Sequence, residues 1–300
     1  MQDGHVVDCI VLNYNDADTT INMVNRIRTY DVFNHIIMVD NCSPDGSADR
    51  LEKITDKKVI LLRNTQNTGY GAGNNMGVFY SHTQFDSDFA VIANPDVEFT
   101  EQCIVAMVED MLEFPRRAVA APMQLNTKGE VIPSYAWHLP GVWRTILTGG
   151  SLLKGNSHKF YPADYTLTAK KYHLKSVPVD CVPGAMLMVR TEAFCDELGG
   201  YDPGNFLYRE EDMLARKVKE AGMTSALIFN ERYIHRHAVS INKSYPNVIK
   251  RKELLLKARM FYLTHYTGAN GLEVWIAKKL FRFYLNERKL TLKVKMLWKK

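Results

Sequence analysis

The stretch Asp88-Phe89-Ala90-Val91-Ile92-Ala93-Asn94-Pro95-Asp96-Val97-Glu98 constrains the fold most. An unbroken apolar run of this length predicts a strand buried on both faces, as in a parallel sheet covered by helices. Asn94-Pro95 stops it, because Pro95 cannot donate to a ladder. Asp96 is then left at the carboxyl end of a central strand, the edge where open α/β sheets hold ligands. Two roles are open to it. It can bind Mg²⁺ or Mn²⁺ beside a phosphate-bearing group, or it can cap a helix that begins near Glu101.

Other runs extend the pattern. Val6–Leu12, His35–Asp40, Val59–Leu62 and Ala118–Met123 read as strands, separated by segments of helical spacing. Strand–helix alternation implies an α/β domain with a mostly parallel sheet flanked by helices and right-handed crossovers. Residues 1–240 make up this domain. Within it, 124–177 is rich in aromatic and turn residues and reads as an insertion over one sheet edge. Val182–Val189 and Ala226–Phe229 return as strands, with a short helix expected over Thr191–Leu198. Residues 241–300 form a C-terminal extension.

Composition excludes several classes. Five cysteines without CxxC spacing read as buried thiols in a reducing compartment, not a disulfide frame or zinc site. No signal peptide precedes Val6 and no apolar run spans a bilayer, so the expectation is a cytosolic protein that touches the membrane from that side. A net charge of +5 is too modest to indicate nucleic acid. The basic excess sits after Lys250, where the acids are Glu253, Glu273 and Glu287. Leu272, Ile276, Leu280 and Phe283 recur there at helical spacing, with Trp275, Phe281 and Tyr284 nearby and Lys278, Lys279 and Arg282 on another face. This reads as a basic amphipathic helix on an anionic membrane surface, or as a helix packed on the catalytic domain.

The chemistry-bearing residues fall at the strand ends. Gly71-x-Gly73-x-x-x-Gly77 follows the third strand and opens a helix, as a phosphate-contacting turn or as a close helix–sheet contact. Asp40 and Asp96 end strands on one sheet edge, and Glu210-Glu211-Asp212 opens a helix in the second half. His235 and His237 follow the last strand, beside the expected metal site. A metal ligand, a nucleoside contact and a general base together suit transfer from a nucleoside diphosphate.

The ordered set resembles glycosyltransferase family 2, whose fold is GT-A. The matching pieces are Val11-Leu12-Asn13-Tyr14-Asn15, Val39-Asp40-Asn41-x-Ser43-x-Asp45-Gly46-Ser47, Asn67-x-Gly69-Tyr70-x-x-Gly73-Asn74-Asn75-x-Gly77 and Asn94-Pro95-Asp96. They continue with Pro183-Gly184-Ala185, Gly199-Gly200-Tyr201-Asp202, Phe206-Leu207-Tyr208-x-Glu210-Glu211 and His235-x-His237-x-x-Ser240. The bacterial rhamnosyltransferase-like branch is the most similar. The resemblance implies that Asn13, Tyr14, Asp40, Asn67, Gly69, Asn75 and Asn94 line the nucleotide. It implies that Asp96 holds Mg²⁺ or Mn²⁺, joined by His235 or His237, because the DXD motif is reduced to Asn94-Pro95-Asp96. The general base is one of Glu210, Glu211 and Asp212, with Glu211 at the matching position. The implied reaction is inverting transfer from a nucleotide sugar to a cell-surface or lipid-linked glycan. The donor is dTDP-rhamnose or, as the alternative, a UDP-hexose or UDP-galactofuranose. Noncatalytic nucleotide-sugar binding or membrane scaffolding is the rival from another class.

Overall fold

The computed structural model describes residues 4–132, 135–150, 171–236 and 247–297. Strands β1 (Val7–Asn13), β2 (His35–Asp40), β3 (Val59–Arg63) and β4 (Phe89–Ala93) run parallel in the spatial order β3-β2-β1-β4. Helices α1 (Ala17–Ile27), α2 (Ser47–Glu52) and α3 (Gly69–Phe85) connect them. All of β4 is buried. Because successive strand residues face opposite ways, Phe89, Val91 and Ala93 enter a core with Met23 and Val24 of α1, while Ala90 and Ile92 enter another with Val78 of α3. The apolar run is thus sandwiched, as its composition requires.

The second half corrects the expectation of a mostly parallel sheet. Here lie β5 (Val97–Glu98), α4 (Glu101–Glu113), β6 (Arg117–Leu125), β7 (Ser176–Val179), β8 (Met186–Arg190) and β9 (Thr224–His235). Strand β8 inserts between β4 and β6 and is antiparallel to both. Strands β5 and β7 are also antiparallel to β9, and among the described residues of this half only β6–β9 is parallel. The sheet is therefore mixed. A parallel return needs a crossover; here the chain leaves through the insertion instead and comes back from the other end. Other boundaries shift too. The strand expected from Val182 starts at Met186 and that expected to end at Phe229 runs to His235. The short helix expected over Thr191–Leu198 is present, with Ala193–Glu197 in π-helical form.

Helix α6 (Glu210–Glu220) is followed by α7 (Val248–Tyr266) and α8 (Gly271–Leu297), and α5 (Val142–Leu147) lies in the insertion. A third apolar cluster joins Ile146, Leu256, Leu263, Ala277, Phe281 and Tyr284. One face of α8 therefore packs on the protein. No described helix is long and apolar enough to cross a membrane.

The glycine pattern turns out to be a packing device. Gly73 and Gly77 set α3 against β1, and a Cβ at Gly77 would lie 2.4 Å from Ile10 Cγ2. Ile10 is fully buried in a central strand and cannot give way. Gly77→Ala should therefore destabilise the protein. Helix propensity alone would gain about 1 kcal/mol, against an overpacking cost of about 1–3 kcal/mol. Urea unfolding should show a net loss of up to about 2 kcal/mol; a stability gain would mean that close packing is not why glycine stands there.

Candidate active site

The carboxyl ends of β1 and β2 are locked side by side. Their register opposes Asn13 to Asp40, and Asn13 Nδ2 donates to Asp40 Oδ1 at 2.7 Å. The Ser43 backbone amide donates to Asp40 Oδ2 at 2.9 Å, while Ser43 Oγ accepts from Asn13 Nδ2 and from the Asn15 amide. Asp40 is only 2% exposed, so in this structure it holds the two loops together. Asn15 and Cys42 complete these loops at φ 55° and 60°, a conformation costly for residues other than glycine.

A second asparagine organises the next loop. Asn41 Nδ2 donates to Asn67 Oδ1 and to the Gly69 carbonyl, and Asn41 Oδ1 accepts from Asn64 and Thr68. Gly69 has φ +86°, and a Cβ there would lie 2.0 Å from the Phe206 carbonyl oxygen. Only glycine fits. Tyr14, Asn67 and Asn94 are half-buried at this edge. Asn75, expected beside the nucleotide, instead clamps the Tyr201 backbone, donating to its carbonyl and accepting from its amide at 2.8 Å each.

Asp96 and His235 come together from 139 positions apart. Pairing of β5 with β9 sets Val97 opposite His235, which leaves Asp96 Oδ1 3.3 Å from His235 Nε2. Thr100 caps α4 with its own side chain, so Asp96 is not the helix cap. Behind the imidazole, Gln124 Nε2 lies 3.1 Å from His235 Nδ1 and Gln124 Oε1 accepts from the Tyr233 hydroxyl. Such outer partners fix ring orientation at metal sites. No group of three or more His, Cys, Asp or Glu clusters around a cation site among the described residues. The donor set fits a cation that takes one carboxylate and one imidazole, with substrate phosphates and water completing its shell. His237 lies outside the described residues.

The three consecutive acids at the start of α6 have unlike environments. Asp212 is 1% exposed and accepts from Trp137 Nε1 at 2.7 Å and from Arg209. Both its oxygens are occupied, which makes it a strut between the insertion and α6. Glu210 is 5% exposed and leaves Oε1 without a partner among the described residues. Burial, with the neighbouring Glu211 charge, pushes its carboxyl up to about 8. Glu211 is half-buried and accepts from the Gly184 amide at 3.2 Å. Burial also raises its carboxyl above the ordinary range. The turn that delivers all three is strained, with Tyr208 and Arg209 at φ 77° and 69°.

These pieces converge. The Gly184 carbonyl accepts from the Tyr70 hydroxyl at 2.6 Å, and the Ala185 carbonyl accepts from the Asn94 amide at 2.8 Å. Pro183-Gly184-Ala185 thereby links the loop before Asp96 to Glu211. Burial and the fields of Glu211, Cys103 and Asp96 push the Tyr233 hydroxyl up, so both carboxylates act on one buried ring. Sequence reasoning missed Asn41, Gln124 and Trp137 as members of this network. Asn41 stood inside a quoted motif; the other two had no signal beyond their polarity.

The pattern of Glycosyl transferase family 2 matches residues 8–194. A Mycobacterium tuberculosis N-acetylglucosaminyl-diphospho-decaprenol L-rhamnosyltransferase is 27% identical over 222 residues, 69% of this chain and 68% of the relative. Among solved structures, GalNAc-T7 with UDP, GalNAc and Mn²⁺ superposes with a TM-score of 0.59 at 14% identity, covering 98% of this chain and 58% of that one. The chain thus spans little more than half of that neighbour. A mannosyltransferase from Pyrobaculum calidifontis with GDP-Man and Mn²⁺ gives a TM-score of 0.55 at 14% identity, covering 93% and 69%. The fold is the GT-A fold that the sequence resemblance implies.

The buried Glu210 has a consequence for stability. Its folded carboxyl titrates at about 8 against 4.5 unfolded. The folded state therefore holds the proton more tightly, and this contribution is fully present below 4.5 and lost as pH rises through about 8. Glu210→Gln should remove that loss. Its Tm relative to the parent should rise across this window; a difference that stays flat with pH would show that Glu210 does not titrate there.

Proposed function

The chain belongs to glycosyltransferase family 2, and on that premise we propose that it moves rhamnose from a nucleoside-diphosphate donor to a lipid-linked glycan, with inversion. The observation that carries this reading is Glu211. It is the one member of the acidic triplet that is neither sealed in nor tied to a strut, and the Gly184 amide aims it. The identity to a rhamnosyltransferase that acts on a decaprenol-linked sugar supports the donor and acceptor class.

Each residue has a task in this scheme. Tyr14 and Asn67 line the nucleoside side on loops held by the Asn13–Asp40 and Asn41 networks, and Asn94 joins them from the turn held by the Ala185 carbonyl. Asp96 and His235 would hold a divalent cation, which when bound neutralises negative charge on the leaving diphosphate. Gln124 keeps the His235 ring in place. Glu211 takes the proton of the acceptor hydroxyl as that oxygen attacks the anomeric carbon from the face opposite the diphosphate. Its raised pKa suits this role, because a base works best near the operating pH. Glu210 stays protonated through neutral pH and so does not compete for the acceptor proton. The acceptor's lipid places the reaction at an anionic membrane surface, with the protein attached peripherally.

Screening dTDP-rhamnose against UDP-hexoses and UDP-galactofuranose, with Mg²⁺ and Mn²⁺, tests the donor. Turnover confined to a UDP sugar would replace rhamnose in this reading. Glu211→Gln should lower kcat by about 10²–10⁴-fold while donor affinity stays close to the parent. The acid limb of the parent pH–rate profile should lie above the usual carboxylate range, because Glu211 must ionise to act. A near-normal Glu211→Gln enzyme would reject it as the base.

Asp96→Ala should abolish cation-stimulated transfer and weaken donor binding in titrations containing Mn²⁺, with Tm little changed. Unaltered cation dependence would remove Asp96 from the metal role.

A further inference from the structure

Helix α8 has two unlike faces. Ala277, Phe281 and Tyr284 are buried in the third apolar cluster. Leu272, Trp275, Phe283 and Leu290 point the other way and are 67, 57, 53 and 64% exposed. At about 100° per residue these four share one outward arc with Lys278, Lys279, Arg282, Lys289 and Lys293, all of them exposed. The carboxylates of α8 among its described side chains, Glu273 and Glu287, fall outside that arc. Lys289 lies 3.9 Å from Glu253 of α7, which marks the inner limit of the basic edge. Lys279 Nζ stands 5.6 Å from the Trp275 ring centroid. Helix α5, against which α8 rests, also exposes Trp143 and Leu147.

Large apolar side chains gathered on one exposed face mark an interaction surface. Its charge selects the partner. A second copy docked through the same face would set lysines and arginine against themselves, because a two-fold contact opposes identical patches. Anionic lipid satisfies both features at once: aromatic and leucine side chains enter the headgroup boundary, and basic side chains meet the phosphates.

We propose that the outer face of α8, centred on Leu272, Trp275, Lys279, Phe283 and Leu290, is the surface by which this protein lies on an anionic bilayer. The proposal rests on the reading of a membrane-held acceptor and gives that reading its contact surface. The axis of α8 then lies in the membrane plane. Its inner face, through α5 and α7, carries the catalytic domain. Attachment has a salt-sensitive part from the charges and a salt-insensitive part from the apolar side chains.

Sedimentation of the full chain with phosphatidylcholine vesicles, with and without phosphatidylglycerol, tests this. The parent should sediment far more with the anionic vesicles than with the neutral ones. Neutralising Lys278, Lys279 and Arg282 to Gln should weaken binding by about fivefold per charge, on the order of a hundredfold in all. Trp275→Ser with Phe283→Ser should remove the binding that survives high salt. Both variants alter exposed side chains and should keep the parent's Tm and its donor hydrolysis without vesicles. Vesicle binding needs no donor and hydrolysis needs no vesicle, so either idea can fail alone. Equal sedimentation of parent and variants would overturn the proposal, as would equal binding to neutral vesicles. So would a parent that ignores vesicles but self-associates through Trp275 and Phe283.

Discussion

The backbone of Gly184 is the joint on which the site depends. Its amide donates to Glu211, its carbonyl accepts from Tyr70, and the next carbonyl accepts from the Asn94 amide. One short turn thus joins the glycine loop, the end of the central strand and helix α6. A Cβ at Gly184 would stand 2.7 Å from Glu211 Oε1, so a side chain there would push the carboxylate off this bond. The parallel strands β1 to β4 and the mixed second half, whose β8 runs antiparallel to β4 and β6, meet at this turn. A hydrogen bond from the backbone aims the Glu211 carboxylate with no donor rotamer to lose.

Burial then assigns different work to three adjacent acids. Asp212 is neutralised by Arg209 and tied to Trp137, and so acts as structure. Glu210 lies beneath the site with burial as its largest influence, and its proton is retained. Glu211 stands between these extremes, partly buried and partly exposed. The gradient exists because α6 enters the protein at its first turn. The strained Tyr208-Arg209 turn sets that angle, held by the bond from Asn205 to the Tyr208 carbonyl.

Much of this was legible in the sequence, for identifiable reasons. The run from Phe89 to Ala93 could only be a doubly covered strand, and the polar residues that end β1, β2 and β4 fall on one edge because those strands are parallel. The reversal of β8 was not legible, because an apolar run reads the same in either direction. Glu211 and Asp212 are equivalent by composition; Trp137, 75 positions from Asp212, distinguishes them. Gln124 was invisible for the same reason, 111 positions from His235. In α8 the stripe of Leu272, Ile276, Leu280 and Phe283 suggested one apolar face. Ile276 and Leu280 of that stripe do pack against the buried side, which is centred on Ala277, Phe281 and Tyr284, while Leu272 and Phe283 face outward. Periodicity cannot tell how far a neighbour's cover extends around the helix.

Strand β9 also sets an order of assembly. It pairs with β5, β6 and β7, so its partners include residues more than a hundred positions earlier. Contacts of that span form slowly, since a long loop must close before they contribute. During synthesis β1 to β4 emerge and can pair with near neighbours, while β6 waits with an open edge that is prone to association until β9 arrives. Asp96 leaves the ribosome long before His235 and meets it only when this last strand docks. The carboxylate–imidazole pair is therefore a late event in the life of each molecule, and a chain whose sheet is unfinished has not yet brought Asp96 and His235 together.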